Sequence, residues 1–228
     1  MLEKLAKQTA VYGISTIAVR FLSYLLTPVF TRVFEPEAYG IVTDVYALIP
    51  FALVVLTMGL ESAYFRFAAK ADAAAAAAGG TEGEIAAQAR AGKRRLFATA
   101  WGVTLLAASL FFLLTAFGRE RVAEWMGEAY VAHPEYVLLV AAVVWFDVAA
   151  CLPFSRLREQ GRAMTFVGIK ALGVVVNVAL AIGFALAGLY GTPFGVGWVF
   201  VANLIASAVT FNVILLTTDC TVPRIDRR

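Results

Sequence analysis

The sequence predicts an all-α membrane protein with six transmembrane helices. Hydrophobic residues make up 61% of its 228 residues and charged residues only 15%, and the mean hydropathy is +0.79. Soluble domains contain about 45–50% apolar residues, so the composition excludes an ordinary soluble domain. A helix needs about 20 apolar residues to cross a hydrocarbon core of about 30 Å. Six such windows occur, at residues 10–34, 39–60, 96–117, 136–154, 165–189 and 195–217.

The distribution of Lys and Arg predicts that both termini are cytoplasmic. Most of the 19 basic residues fall in the N-terminal segment, the second and fourth loops, and the C-terminal tail, whereas the opposite side holds Arg32, Arg119 and Arg121. Short loops rich in Lys and Arg stay on the cytoplasmic side, where they face anionic lipid headgroups. We therefore predict a multi-pass protein of the cytoplasmic membrane, whose basic residues contact the bilayer and not nucleic acid.

Two of the connecting segments have distinct compositions. The second loop, residues 68–92, contains AAAAAAGG followed by TEGEIAAQARAG. This low-complexity stretch has little that could form a core, so a solvated linker, which could form a partial surface helix, is favoured over a binding element. The third loop, residues 118–135, mixes charges with Trp125, a pattern typical of a short interfacial helix.

Three stretches of the chain resemble a known family. They are YGISTIAVRFLSYLLTPVFTRVFEPEAYGIVTDVYA, GLESAYFRFA and LPFSRLREQGRAMTFVGIKALGVVVNVAL. They are similar to the N-terminal half of bacterial polysaccharide-biosynthesis flippases, which belong to the multidrug/oligosaccharidyl-lipid/polysaccharide exporter superfamily. The resemblance implies that the six helices form one lobe of a two-lobed flippase-type transporter, with a second six-helix lobe as partner. It also implies that residues 218–228 are a truncated connector between the lobes.

A charged residue in the first predicted span is the main candidate for function. Arg20 lies near the middle of that span, where an arginine costs about 3 kcal/mol on insertion scales and normally faces a bundle interior or a water-filled cavity. Polar residues at helical spacing share its face, so a cavity-lining role is favoured. The alternatives are a structural ion pair with Asp44 or Asp147, or snorkelling to the headgroups. The polar face consists of Thr16, Arg20, Ser23, Thr27 and Thr31.

The resemblance gives these residues a substrate. We expect a lipid-linked oligosaccharide to be bound by Arg20, whose planar guanidinium suits a diphosphate, together with Tyr24, Thr27 and Asn177. Pro28 removes a backbone hydrogen bond and predicts a kink, which the resemblance suggests is a hinge.

Other polar residues in the spans are weaker candidates. Asp44 and Asp147 could pair with Arg20 or take up a coupling proton or sodium ion, and no cofactor or metal site is predicted. For the remaining polar residues, packing between helices is the favoured role because small and amide residues are common at helix contacts in membranes. These form two helical faces, Lys170, Gly173 and Asn177 on the fifth span and Asn203, Ser207 and Thr210 on the sixth.

Glu61 and Arg66 bracket the predicted cytoplasmic end of the second span. The resemblance places this segment at the inner mouth of the cavity, where an ion pair between the two residues could close a gate. An interfacial salt bridge with no gating role is the alternative.

The sequence thus predicts a flippase lobe. Its expected activity is transfer of an undecaprenyl-diphosphate-linked oligosaccharide to the outer leaflet by alternating access, for surface polysaccharide such as O-antigen, lipopolysaccharide or capsule. Catalysis is not expected, because His133 is the single histidine and no nucleophile or metal motif occurs. The alternatives are a cation-coupled drug exporter of the same superfamily, which the arginine and the lack of acid in the first span disfavour, and a non-transporting scaffold for polysaccharide enzymes.

Overall fold

The computed structural model describes residues 26–218, and this part of the chain is helical without strands. Six of its α-helices are long, and three have eight residues or fewer. They are α1 (Thr27–Val33), α2 (Pro36–Thr57), α3 (Leu60–Ala78), α4 (Glu82–Phe117), α5 (Arg119–Met126), α6 (Glu128–Val131), α7 (Glu135–Glu159), α8 (Ala163–Leu186) and α9 (Gly197–Thr217), with a 3₁₀ turn at Leu189–Gly191.

Five helical segments are long and apolar enough to cross a membrane, so the chain is a multi-pass membrane protein. They are 36–78, which joins α2 and α3, and the helices α4, α7, α8 and α9. Most of the first predicted span, 10–34, lies outside the described residues. The number of six spans and the two-lobed arrangement therefore stay predictions.

The central helix of the bundle is α7. Its buried residues outnumber those of any other described helix, and α4 and α9 make their most extensive contacts with it. The core around it contains aliphatic side chains of α2, α7 and α9, including Val45, Val144, Val148 and Val199. We call the end of the bundle where α7 finishes the Arg158 end, and the opposite end, where α7 begins, the Tyr136 end.

The structure corrects the sequence analysis at residues 68–92. A solvated linker is favoured there from the sequence, but the structure has a helical hairpin, because α3 continues to Ala78 and α4 starts at Glu82. Alanine has the highest helix propensity, and the start of α4 is fixed by a capping box in which Thr81 and Glu84 each bond to the other's backbone N–H. The hairpin is tied to α7 by Lys93, whose Nζ is 2.7 Å from both Asp72 Oδ2 and Glu159 Oε1.

The third predicted loop does contain short helices, as expected. The helices α5 and α6 occupy residues 119–131, and Trp125 is exposed. Within this loop, the Tyr130 hydroxyl of α6 donates a hydrogen bond to the carbonyl oxygen of Ile41 on α2, at 3.4 Å. These helices therefore pack against α2 near the Tyr136 end.

A break separates α2 from α3. Met58 and Gly59 both adopt the left-handed conformation, with φ values of 47° and 69°. A left-handed residue interrupts the helical hydrogen-bond ladder, so the 36–78 segment consists of two helices that meet at an angle set by these two residues.

Candidate functional site

An open cavity of about 660 Å³ lies among α1, α2, α7, α8 and α9. Its wall contains Thr27, Asp147 and Asn177 from the predicted site. It also contains residues for which packing is the favoured role from the sequence, namely Lys170, Gly173, Asn203, Ser207 and Thr210. The structure thus brings both weaker polar faces, from the fifth and sixth predicted spans, to one cavity.

Lys170 and Asp147 supply the two charges of the described cavity wall. Lys170 is exposed to the cavity and Asp147 is half-buried. They are close enough for their charges to interact, and the Asp147 carboxylate also interacts with the Ser207 hydroxyl. The Lys170 ammonium lies 4.2 Å from the centre of the Phe154 ring, which is the geometry of a cation–π contact.

Neutral polar and aromatic side chains line the rest of the cavity. Tyr46 on α2 interacts with the Asn177 side chain on α8, and both side chains line the cavity. Tyr39, Thr43 and Asn203 also reach the wall. This wall can donate and accept hydrogen bonds and can present aromatic rings to a ligand.

Close packing of α8 on α9 forms one side of the cavity. A Cβ atom at Gly173 would clash with the Thr210 hydroxyl. Any larger residue at this position would have to displace the Thr210 side chain, so Gly173 favours the close approach of the two helices. For Gly173 the predicted packing role and a place on the cavity wall coincide.

The structure pairs Glu61 with a residue other than the one proposed from the sequence. The Arg158 Nη2 atom is 2.9 Å from Glu61 Oε1, and the Ser155 hydroxyl donates a hydrogen bond to the same oxygen, at 2.9 Å. The partner of Glu61 is thus Arg158 on α7 and not Arg66, which is exposed on α3. The contact links the start of α3 to the end of α7.

Asp44 lies away from the described cavity wall. It is exposed on α2, near Tyr130 of the loop helix α6. Burial is the main cause that raises the pKa of Tyr130 to about 12, and the negative charge of the nearby Asp44 carboxylate acts in the same direction. Asp44 therefore lies apart from Asp147, the other carboxylate that the sequence offers as a partner of Arg20.

Part of the predicted site lies outside the described residues. This applies to Arg20 and Tyr24, and to the kink at Pro28, which depends on residues before Leu26. Pro28 itself is in the first turn of α1, where a proline removes no intrahelical hydrogen bond. Within residues 26–218, no cluster of three His, Cys, Asp or Glu side chains could hold a metal ion.

Comparison with known proteins gives one result. A family model described as polysaccharide biosynthesis protein matches residues 5–224. No curated protein and no solved structure shows significant similarity to the chain.

Proposed function

We propose that this chain, which belongs to the polysaccharide biosynthesis protein family, moves a lipid-linked oligosaccharide across the membrane by alternating access. The family and the five membrane-spanning helical segments establish a membrane protein of the transporter or flippase type. The specific substrate, an undecaprenyl-diphosphate-linked oligosaccharide, is our proposal.

The observation that carries the proposal is a polar cavity within the membrane-spanning part of the bundle. A diphosphate and a glycan would each lose their hydration in hydrocarbon, and an isolated charge there carries a penalty of tens of kcal/mol in the Born limit. A cavity with a fixed cation and many hydrogen-bonding groups supplies replacement contacts. Lys170 provides such a cation, and its exposure to the cavity leaves the ammonium accessible to an anion.

In this proposal Arg20 and Lys170 share the diphosphate, while Tyr24 and Thr27 contribute further contacts from the first helix. A second six-helix lobe would complete the cavity, and the two lobes would rock to expose it to each side in turn. The Arg158 end would face the cytoplasm, in keeping with the positive-inside distribution of Lys and Arg, and the protein would reside in the bacterial cytoplasmic membrane.

Asp147 is our candidate for coupling transport to a proton or sodium gradient. Its carboxylate lies in the cavity near the charge of Lys170, so an arriving diphosphate would compete with it for the ammonium. Uptake of a cation by Asp147 would compensate for the loss of this interaction.

The proposal is tested by restoring surface polysaccharide in a flippase-deficient host with the intact protein. We expect Lys170→Gln to reduce polymer display at least tenfold and Lys170→Arg to retain most of it, because only the glutamine variant removes the charge. Lys70→Gln is the matched control, since Lys70 is exposed on the hairpin and outside the cavity. Normal display with Lys170→Gln at equal protein level would contradict the proposal.

A cation-coupled drug exporter is a second candidate, favoured by one observation. Asp147 places a carboxylate in the cavity, as a site for cationic drugs requires. In that case Asp147→Asn would raise the drug susceptibility of a host lacking its own exporters, relative to wild type, and Lys170→Gln would not. Unchanged susceptibility with wild-type protein and with both variants would eliminate this candidate.

A further inference from the structure

The ammonium and the amides of the cavity lie at different depths. With a rise of about 1.5 Å per residue, Lys170 lies about 10 Å from the start of α8, and Thr210 about 10 Å from the end of α9. Both helix termini are at the Arg158 end. Asp147 lies about 18 Å from the same end, near the middle of α7. Lys170 is thus in the half of the bundle near the Arg158 end, and Asp147 lies at the midpoint between the two ends.

The amides and Tyr46 lie in the other half. By the same measure Asn203 is about 9 Å from the start of α9, and Tyr46 about 15 Å from the start of α2, both counted from the Tyr136 end. Asn177 is about 14 Å from the end of α8 at the Tyr136 end. On the Tyr136 side of Asp147, the described wall has no charged side chain.

The chemistry of the two halves differs in the same way. An ammonium offers only donors and therefore suits the oxygens of a diphosphate, which only accept hydrogen bonds. An amide offers two donors and an acceptor, so it can satisfy a sugar hydroxyl, which both donates and accepts. Aromatic side chains such as Tyr39 add an apolar surface for the ring of a sugar.

The contact between Tyr46 and Asn177 holds one of these amides in place. The tyrosine hydroxyl interacts with the Asn177 side chain, so the amide would be partly ordered before a ligand arrives. Ordering of this kind before binding reduces the entropic cost of holding a ligand. Tyr46 would therefore act as a positioning residue for Asn177.

From this arrangement we infer that the half of the cavity lined by Tyr46, Asn177 and Asn203 is a sugar subsite that recognises the first sugars of the glycan, while Lys170 holds the diphosphate. The inference rests on the proposed function and adds the source of glycan specificity. The cavity volume of about 660 Å³ is within the range of about 300–1,000 Å³ for small-molecule sites. It accommodates the sugars nearest the lipid, and a longer glycan would extend beyond the subsite.

The test measures binding of two probes to the intact protein in detergent. One probe is undecaprenyl diphosphate, and the other is the same lipid carrying a single N-acetylglucosamine. We expect wild-type protein to bind the sugar-bearing probe about tenfold more tightly. Asn177→Ala and Asn203→Ala should each remove most of this difference while retaining affinity for undecaprenyl diphosphate, which also reports that the variants are folded. Tyr46→Phe should reduce the difference partially.

Asn212→Ala is the matched control, because Asn212 lies on the same helix as Asn203 but is exposed and bonds to the Ala208 carbonyl oxygen. It should leave both affinities unchanged. If wild-type protein binds the two probes equally, or if the subsite variants keep the tenfold preference, the sugar subsite is wrong and the proposed function stands. If wild-type protein binds neither probe, the proposed function fails and the subsite fails with it.

Discussion

Glu61 and Arg158 connect the start of α3 to the end of α7 through a contact of 2.9 Å between Oε1 and Nη2. The guanidinium also lies 5.5 Å from the centre of the Phe65 ring and 5.6 Å from that of Phe166. The contact therefore joins the helical hairpin, the central helix and the start of α8 at the Arg158 end of the bundle.

A double-mutant cycle tests this pairing. Both side chains are more than one third exposed, so we expect Glu61→Gln and Arg158→Gln to show a coupling free energy of only about 0.5–1 kcal/mol. The measurement is thermal unfolding of the four proteins in detergent at low salt, with a smaller coupling at high salt because exposed charges are screened.

The matched cycle uses Arg66 in place of Arg158. Arg66 was the partner proposed from the sequence, and the structure leaves it exposed on α3. We expect no measurable coupling between Glu61→Gln and Arg66→Gln. A larger coupling with Arg66 than with Arg158 would contradict the observed arrangement.

The contact of Gly173 with Thr210 predicts a rescue experiment. Gly173→Ala should lower the unfolding temperature, because the new Cβ meets the Thr210 hydroxyl and forces α8 and α9 apart. Adding Thr210→Ala should restore much of the lost stability by removing the hydroxyl.

Gly168→Ala is the control for the Gly173 experiment. It is on the same helix, and a Cβ there would meet no atom within 4 Å. This substitution should be neutral or stabilising by up to about 1 kcal/mol, since alanine has the higher helix propensity. Equal effects of the two alanine substitutions would show that the close approach of α8 and α9 is absent.

The break between α2 and α3 predicts a different response to alanine. Gly59 has a φ of 69°, and an L-residue with a side chain pays roughly 1–2 kcal/mol in the left-handed region. Gly59→Ala should therefore lower the free energy of unfolding by about this amount. Gly102→Ala, within α4 and free of steric contacts, should not. A stabilising effect of Gly59→Ala would indicate that α2 and α3 form one continuous helix.

Helix positions could be predicted well from the sequence, because hydrophobic length is a local property. The window 96–117 ends where α4 ends, and 136–154 lies within α7. The hairpin at 68–92 was missed for an identifiable reason. Low complexity favours a linker there, whereas the helix propensity of alanine and the capping-box pattern of Thr81 followed by Glu84 favour helices.

The set of residues that line the cavity is harder to predict from the sequence. Helical spacing groups Lys170 with Asn177, and Asn203 with Thr210, but it does not fix how each helix is rotated in the bundle. Packing around α7 decides that both faces line one cavity. The pairing of Glu61 with Arg158 likewise joins residues 97 positions apart, and a single sequence contains no signal for such a contact.

The most direct test of transport is a leaflet-accessibility assay in vesicles that contain the intact protein. The probe is undecaprenyl diphosphate carrying a fluorescently labelled sugar, and an impermeant quencher reports how much of it is in the outer leaflet. We predict that wild-type protein makes nearly all of the probe accessible, that Lys170→Gln slows this at least tenfold, and that Lys70→Gln does not. Accessibility equal to that of protein-free vesicles, or an unchanged rate with Lys170→Gln, would contradict the account.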